Sequence, residues 1–242
     1  MLELINYIPI VTTIFAVYFF IEIFKHYRSK PDRKYLLWWS IGVFTYGIGT
    51  LTESINAVAG WSLLNFKIWY ISGALLGGYP LAQGSVYLLM KKKFADISSI
   101  VVVSVIVIAS ICITLSPVTL PAGFDGVLTG KIFTWSWVRA FSPFINTYAF
   151  IFLFGGAVYS AYWYAKKGHR ESRFKGNIFI AIGALLPGIG GTFTRFGYVE
   201  VLFITELLGL VLIFWGYKII RDNKNPTLHT NQKTAEGLPI QN

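Results

Sequence analysis

Long apolar runs alternate with short, strongly basic stretches along the whole of this chain, and that alternation predicts its architecture. An α-helix needs about 20 apolar residues to cross about 30 Å of hydrocarbon. Seven runs meet that length: 5–24, 35–57, 66–90, 97–115, 141–165, 177–193 and 201–220. The pattern therefore predicts an all-α, polytopic bundle of seven transmembrane helices in one domain, 1–220, followed by a polar tail, 221–242, expected to be disordered. The fourth run carries no charge and is the most uniformly apolar, which predicts a lipid-facing helix. The second, third and sixth are rich in glycine, the residue that lets backbones approach closely where lipid offers no hydrophobic drive to associate.

Charge then orients the bundle. Alternate connections hold Lys25, Arg28, Lys30, Arg33 and Lys34; Lys91, Lys92 and Lys93; and Lys166, Lys167, Arg170, Arg173 and Lys175. The chain's end adds Lys218, Arg221, Lys224 and Lys233. Seventeen basic residues thus fall on one side, against Lys67, Lys131, Arg139 and Arg195 on the other. Basic loops stay in the cytoplasm, so the N-terminus is expected outside and the C-terminus inside. The first run lacks a basic leader and ends in positive charge, the reverse of a secretory signal. The expected location is the plasma membrane, in the manner of a multi-pass protein of a bacterial inner membrane.

Composition agrees: 55% of residues are hydrophobic and 13% charged, about half the charge usual in soluble domains. The net charge of +10 points to anionic membrane lipid as a partner and not to nucleic acid. One cysteine, Cys112, allows no internal disulfide. The connection 116–137 holds two prolines, three glycines, Trp135 and Trp137. It is either a cap over the outer face or a link whose tryptophans join the interfacial belt.

Sliding the chain on itself by 141 residues aligns 10–54 with 151–195 without a gap and gives 11 identities. Ala16-Val17-Tyr18 falls on Ala157-Val158-Tyr159, and Gly47-Ile48-Gly49 on Gly188-Ile189-Gly190. The expectation is a parallel repeat, helices 1–3 matching 5–7 with helix 4 as linker, and such repeats place a cavity between their halves.

The chemistry narrows by exclusion. His26, His169 and His229 all lie in loops or tail, so no membrane-embedded haem, zinc site or histidine-based triad is expected. Lys67 and Lys218 lie at helix ends, unsuited to a retinal Schiff base. No catalytic residue, metal or cofactor is predicted. Polar groups within spans are costly and turn toward cavities or partners. Glu53, Arg139, Arg195 and Glu206 share one depth near the outer face; Tyr70, Tyr79, Gln83 and Asn146 add polar groups on the third and fifth helices. Arg139, Ser142 and Asn146 recur at helical spacing. These eight are either the frame of an outward-facing ligand pocket or structural ties between helix ends.

The stretch LLWWSIGVFTYGIGTLTES, with the GWSLLNFKIWY opening of the third helix and its closing KKK, resembles small bacterial seven-helix membrane proteins of uncharacterised role. It is more loosely similar to the seven-transmembrane sensor region of bacterial histidine kinases, and the repeat layout resembles the SWEET and PQ-loop transporters. The sensor likeness implies detection of a ligand or membrane state, with a separate signalling partner or a homo-oligomer. Two expectations follow: a receptor-like or carrier-like protein binding a small apolar or amphiphilic molecule, such as a lipid or isoprenoid, or a small transporter or channel with its cavity between two three-helix halves.

Overall fold

A computed structural model describes residues 2–167 and 171–222, without the side chains of residues 2, 3, 167 and 195. Arg170, His169 and the tail from 223 onward, with the disorder expected of it, lie outside the described residues. After a leading turn, Leu2–Ile5, come α1 (Ile8–Ser29), α2 (Lys34–Ala59), α3 (Leu63–Trp69) and α4 (Tyr79–Leu89). They are followed by α5 (Lys92–Leu115), α6 (Phe141–Ala149), α7 (Gly156–Lys167), α8 (Glu171–Phe193) and α9 (Val199–Asp222). A π-helical stretch, Tyr70–Leu76, extends α3 toward α4, and another, Phe150–Gly155, joins α6 to α7 without a break. Counting α3–α4 and α6–α7 as one each, the described residues form seven helical segments; their β-structure is a single bridge, Val118 to Phe133.

Five segments are long and apolar enough to cross a membrane: Ile8–Ser29, Lys92–Leu115, Ser136–Lys166, Glu171–Phe193 and Val199–Asp222. The other two fall short for different reasons. At 26 residues α2 has the length, but its threonines, serines and Glu53 lower its apolarity. The third segment is divided: Gly77 (φ 42°) turns the chain between the π-helix and α4. A side chain at Gly77 would be strained by that φ and would also lie 2.7 Å from Asn146 Oδ1. Asn146 Nδ2 donates to the Ala74 carbonyl across 3.1 Å, which occupies an acceptor freed by the break.

Packing is densest between α8 and α9 and between α1 and α2, with α2 against α4 next. Three glycine contacts set the approach of α2 to the third segment. Gly49 meets Gly73, Gly42 meets Leu81, and Gly84 meets Trp39 and the Tyr35 carbonyl. Three more set α8 on α9: Gly190 meets Thr205, Gly183 meets Ile213, and Gly216 meets Ile180 and the Gly176 carbonyl. One core cluster joins both groups of helices through Phe19, Val43, Leu81, Leu153, Leu210 and Phe214. α5 lies at the edge, touching few neighbours and exposing Ile97, Ile100, Val101, Ile108 and Ile111.

At the end of the bundle that bears the basic residues, α1 and α9 are tied. Arg221 Nη1 bridges to Glu22 Oε2 at 2.9 Å, and His26 Nδ1 lies 2.8 Å from the Tyr217 hydroxyl. At the opposite end the 116–137 connection folds back over α3. Phe133 packs 4.9 Å from Phe66 and 4.8 Å from Tyr70, ring centroid to centroid, and Asn56 donates to the Gly126 carbonyl. Trp135 and Trp137 stack on each other and stay exposed.

Candidate functional site

Glu53 is the one acid among the described residues that is sealed inside the bundle, 6% exposed, one to two turns from the end of α2. Its Oε1 accepts a hydrogen bond of 3.0 Å from the Trp69 indole N–H, donated from the last turn of α3. Gly73 lies beside that indole, where an added Cβ would stand 3.8 Å from its nitrogen. From α9, the half-buried Glu206 brings its carboxyl group within hydrogen-bonding reach of the Glu53 carboxyl. Tyr46, two turns before Glu53 on the same face of α2, donates its hydroxyl to the Glu206 backbone carbonyl at 2.9 Å. Glu53 Oε2 is buried and receives no hydrogen bond from a donor among the described residues.

The electrostatics of this pair are one-sided. No ion pair reaches either carboxyl group among the described residues. Two carboxylates cannot hydrogen-bond to each other, because each only accepts; contact requires one proton between them. Arg139, expected at the same depth, sits on the short 3-10 turn Ser136–Ala140, where it is exposed and forms no ion pair among the described residues. The backbone of Arg195 lies on the 3-10 turn Thr194–Phe196 after α8; its side chain is outside the described residues.

The other sequence-picked residues gather elsewhere. Gln83 is fully buried: its Nε2 donates to the Ala95 carbonyl at 2.9 Å, and its Oε1 accepts from the Tyr148 hydroxyl at 2.7 Å. It ties α4 to α5 and α6. Tyr79 is buried beside it, its ring 5.7 Å from that of Tyr148. Tyr70 is buried under the 116–137 connection, its hydroxyl accepting from Ser142 at 3.4 Å. Asn146 closes the break at Gly77. Of the eight, then, Glu53 and Glu206 meet directly, Tyr79 neighbours Gln83, and Arg139 joins neither group.

Trp69 and Tyr46 are the members that sequence reasoning passed over. Tyr46 was findable, since seven residues separate it from Glu53 and place both on one helical face. Trp69 carried no such mark, because an indole near a helix end reads equally as an interfacial anchor.

Among the recesses on the surface of the described residues are two that neither Glu53 nor Glu206 lines. One, about 360 Å³, is an apolar groove between α7 and α8 walled by Phe154, Val158, Tyr162 and Leu185. The other, about 640 Å³, lies within the 116–137 connection, walled by Phe124, Asp125, Lys131 and Phe133. Among the described residues no group of three or more His, Cys, Asp and Glu could hold a metal ion. In comparisons with known proteins, no family model, no curated protein and no solved structure matches this chain.

Proposed function

We propose that this chain is a seven-span carrier of the plasma membrane, with its N-terminus outside, that moves a small apolar or amphiphilic solute along the seam between two parallel three-helix halves. One observation carries the reading: the glycine contacts of α2 recur in α8 with one register. Gly42 and Gly49 correspond to Gly183 and Gly190, each 141 residues on. Their partners Leu81 and Gly73 correspond to Ile213 and Thr205, each 132 residues on, as Gly84 does to Gly216. Six contacts obeying two offsets support a duplicated unit of three helices, with α5 as the link between copies. Parallel repeats hold their binding sites at the interface of the halves. Here that seam runs from Glu53 and Glu206 at one end to the Glu22–Arg221 bridge at the other.

Alternating accessibility tests the carrier. In a Cys112→Ser background, Glu206→Cys and Tyr217→Cys mark the two ends of the seam. An impermeant thiol reagent is expected to modify each from its own side only, and modification at one end should slow modification at the other. The 640 Å³ recess favours a second reading, a receptor whose ligand stays on the outer face. In that case Tyr217→Cys stays protected throughout, and the carrier reading fails.

A further inference from the structure

We infer that Glu53 and Glu206 form a proton-binding site, holding one proton between two carboxyl groups at the seam of the halves and exchanging it with water when the halves part. The inference rests on the two-half reading for its second clause and on local geometry alone for its first. Two carboxyl groups from different halves lie within hydrogen-bonding reach, on α2 and α9, which Tyr46 joins at this level through the Glu206 backbone carbonyl. Glu53 is more than nine-tenths buried, and its Oε2 is an acceptor with no donor among the described residues. A buried acceptor left unpaired is expensive, and a buried carboxylate pair more so. A single proton supplies the missing donor and ends the repulsion between the two charges, leaving one carboxylate that accepts from one carboxylic acid.

The groups around the pair suit this role. Tyr46 on α2 spends its hydroxyl proton on the Glu206 backbone carbonyl, so it does not neutralise the pair. Trp69 on α3 is neutral and supplies one N–H to Glu53 Oε1 alone. α9 brings Glu206 itself. At the end of α8, Arg195 has its backbone close by in sequence to the start of α9, its side chain being outside the described residues. A metal ion is a poor alternative occupant, because a hard divalent cation takes six or more oxygen ligands and no third acidic group among the described residues joins the pair. The exchange moves a proton and nothing else: the acid O–H breaks, a water accepts the proton, and the reverse step reloads the pair.

Infrared spectroscopy of the purified full-length protein in lipid tests both clauses. The wild type should show a protonated-carboxyl C=O band at neutral pH, shifted in heavy water, amounting to one group per chain. Glu53→Gln and Glu206→Gln should each abolish it, since either amide can donate to the remaining carboxylate. Glu53→Asp, which keeps an acid, should retain it. No band in the wild type, or a full band in both glutamine variants, overturns the proton site. For the second clause, cysteines replacing Glu22 and Arg221 in Cys112→Ser are bridged by a short bifunctional reagent. Clamping that end favours parting at the acid pair's end, so exchange of the carboxyl proton for deuterium should quicken at least tenfold on bridging. An intact band whose exchange ignores the bridge leaves the proton site standing and sinks its coupling to the halves.

Discussion

Gln83 and Glu53 are both buried polar side chains on neighbouring segments, yet they respond differently to loss of their chemistry. Gln83 uses both ends of its amide, donating to Ala95 and accepting from Tyr148. Gln83→Leu takes the acceptor from the hydroxyl of the half-buried Tyr148 and a donor from the Ala95 carbonyl, which costs about 1–3 kcal/mol. Each kcal/mol lowers the melting temperature of a chain this size by about 2–4 °C, so thermal unfolding in detergent should show a clear fall. Glu53→Gln behaves in the opposite way. The amide oxygen still accepts from Trp69, and the new N–H₂ donates to Glu206, so the change should stay under about 1 kcal/mol. A large loss of stability in Glu53→Gln would mean that its carboxylate binds a cation that the glutamine cannot hold.

Among the elements, α8 and α9 approach so closely that glycine is obligatory at their crossing. A Cβ at Gly183 would stand 2.6 Å from the Gly209 carbonyl oxygen, a backbone atom that cannot swing aside. Gly183→Ala therefore forces the pair apart and should cost about 1–3 kcal/mol, as overpacking does. Gly188, one and a half turns on, faces nothing within 4 Å. Gly188→Ala should be neutral or raise stability by about 0.5–1 kcal/mol, because glycine is the poorer helix former. Measuring the two melting temperatures side by side separates packing from propensity. The same contrast explains what was readable beforehand. Runs of the highest mean hydropathy, as in α5 and α9, announce their helices by length and composition. The break at Gly77-Gly78 was not readable, since a glycine pair inside an apolar run has the same appearance whether it packs a helix or ends one. Depth is legible too, because residues count off distance along an axis, and that put Glu53 and Glu206 at one level. Which of the four charges would face each other depends on the rotation of each helix about its axis, fixed by neighbours far off in sequence. That rotation brings the two acids together and leaves Arg139 exposed.

For the molecule as a whole, the seventeen-to-four division of basic residues sets a testable topography. Single cysteines at positions 62 and 125 should react with an impermeant reagent applied to intact cells, and cysteines at 29 and 94 only after the membrane is opened. Labelling at 94 in intact cells would reverse the orientation and with it the outward placement of the acid pair.

The sparse hold of α5 on its neighbours has a consequence for how the gene itself may be cut without harm to the product. Covalent continuity between the first four helices and the rest runs through a helix with few neighbours and a connection that turns at Gly123 (φ 72°), where an added Cβ would meet nothing within 4 Å. Two separately translated pieces, ending and starting at Gly123, should each insert and then find one another. The second piece carries Phe133, which docks between Phe66 and Tyr70 on the first, and the shared core around Phe19 and Phe214 completes the reunion. Co-purification of the untagged piece with its tagged mate is the expected result.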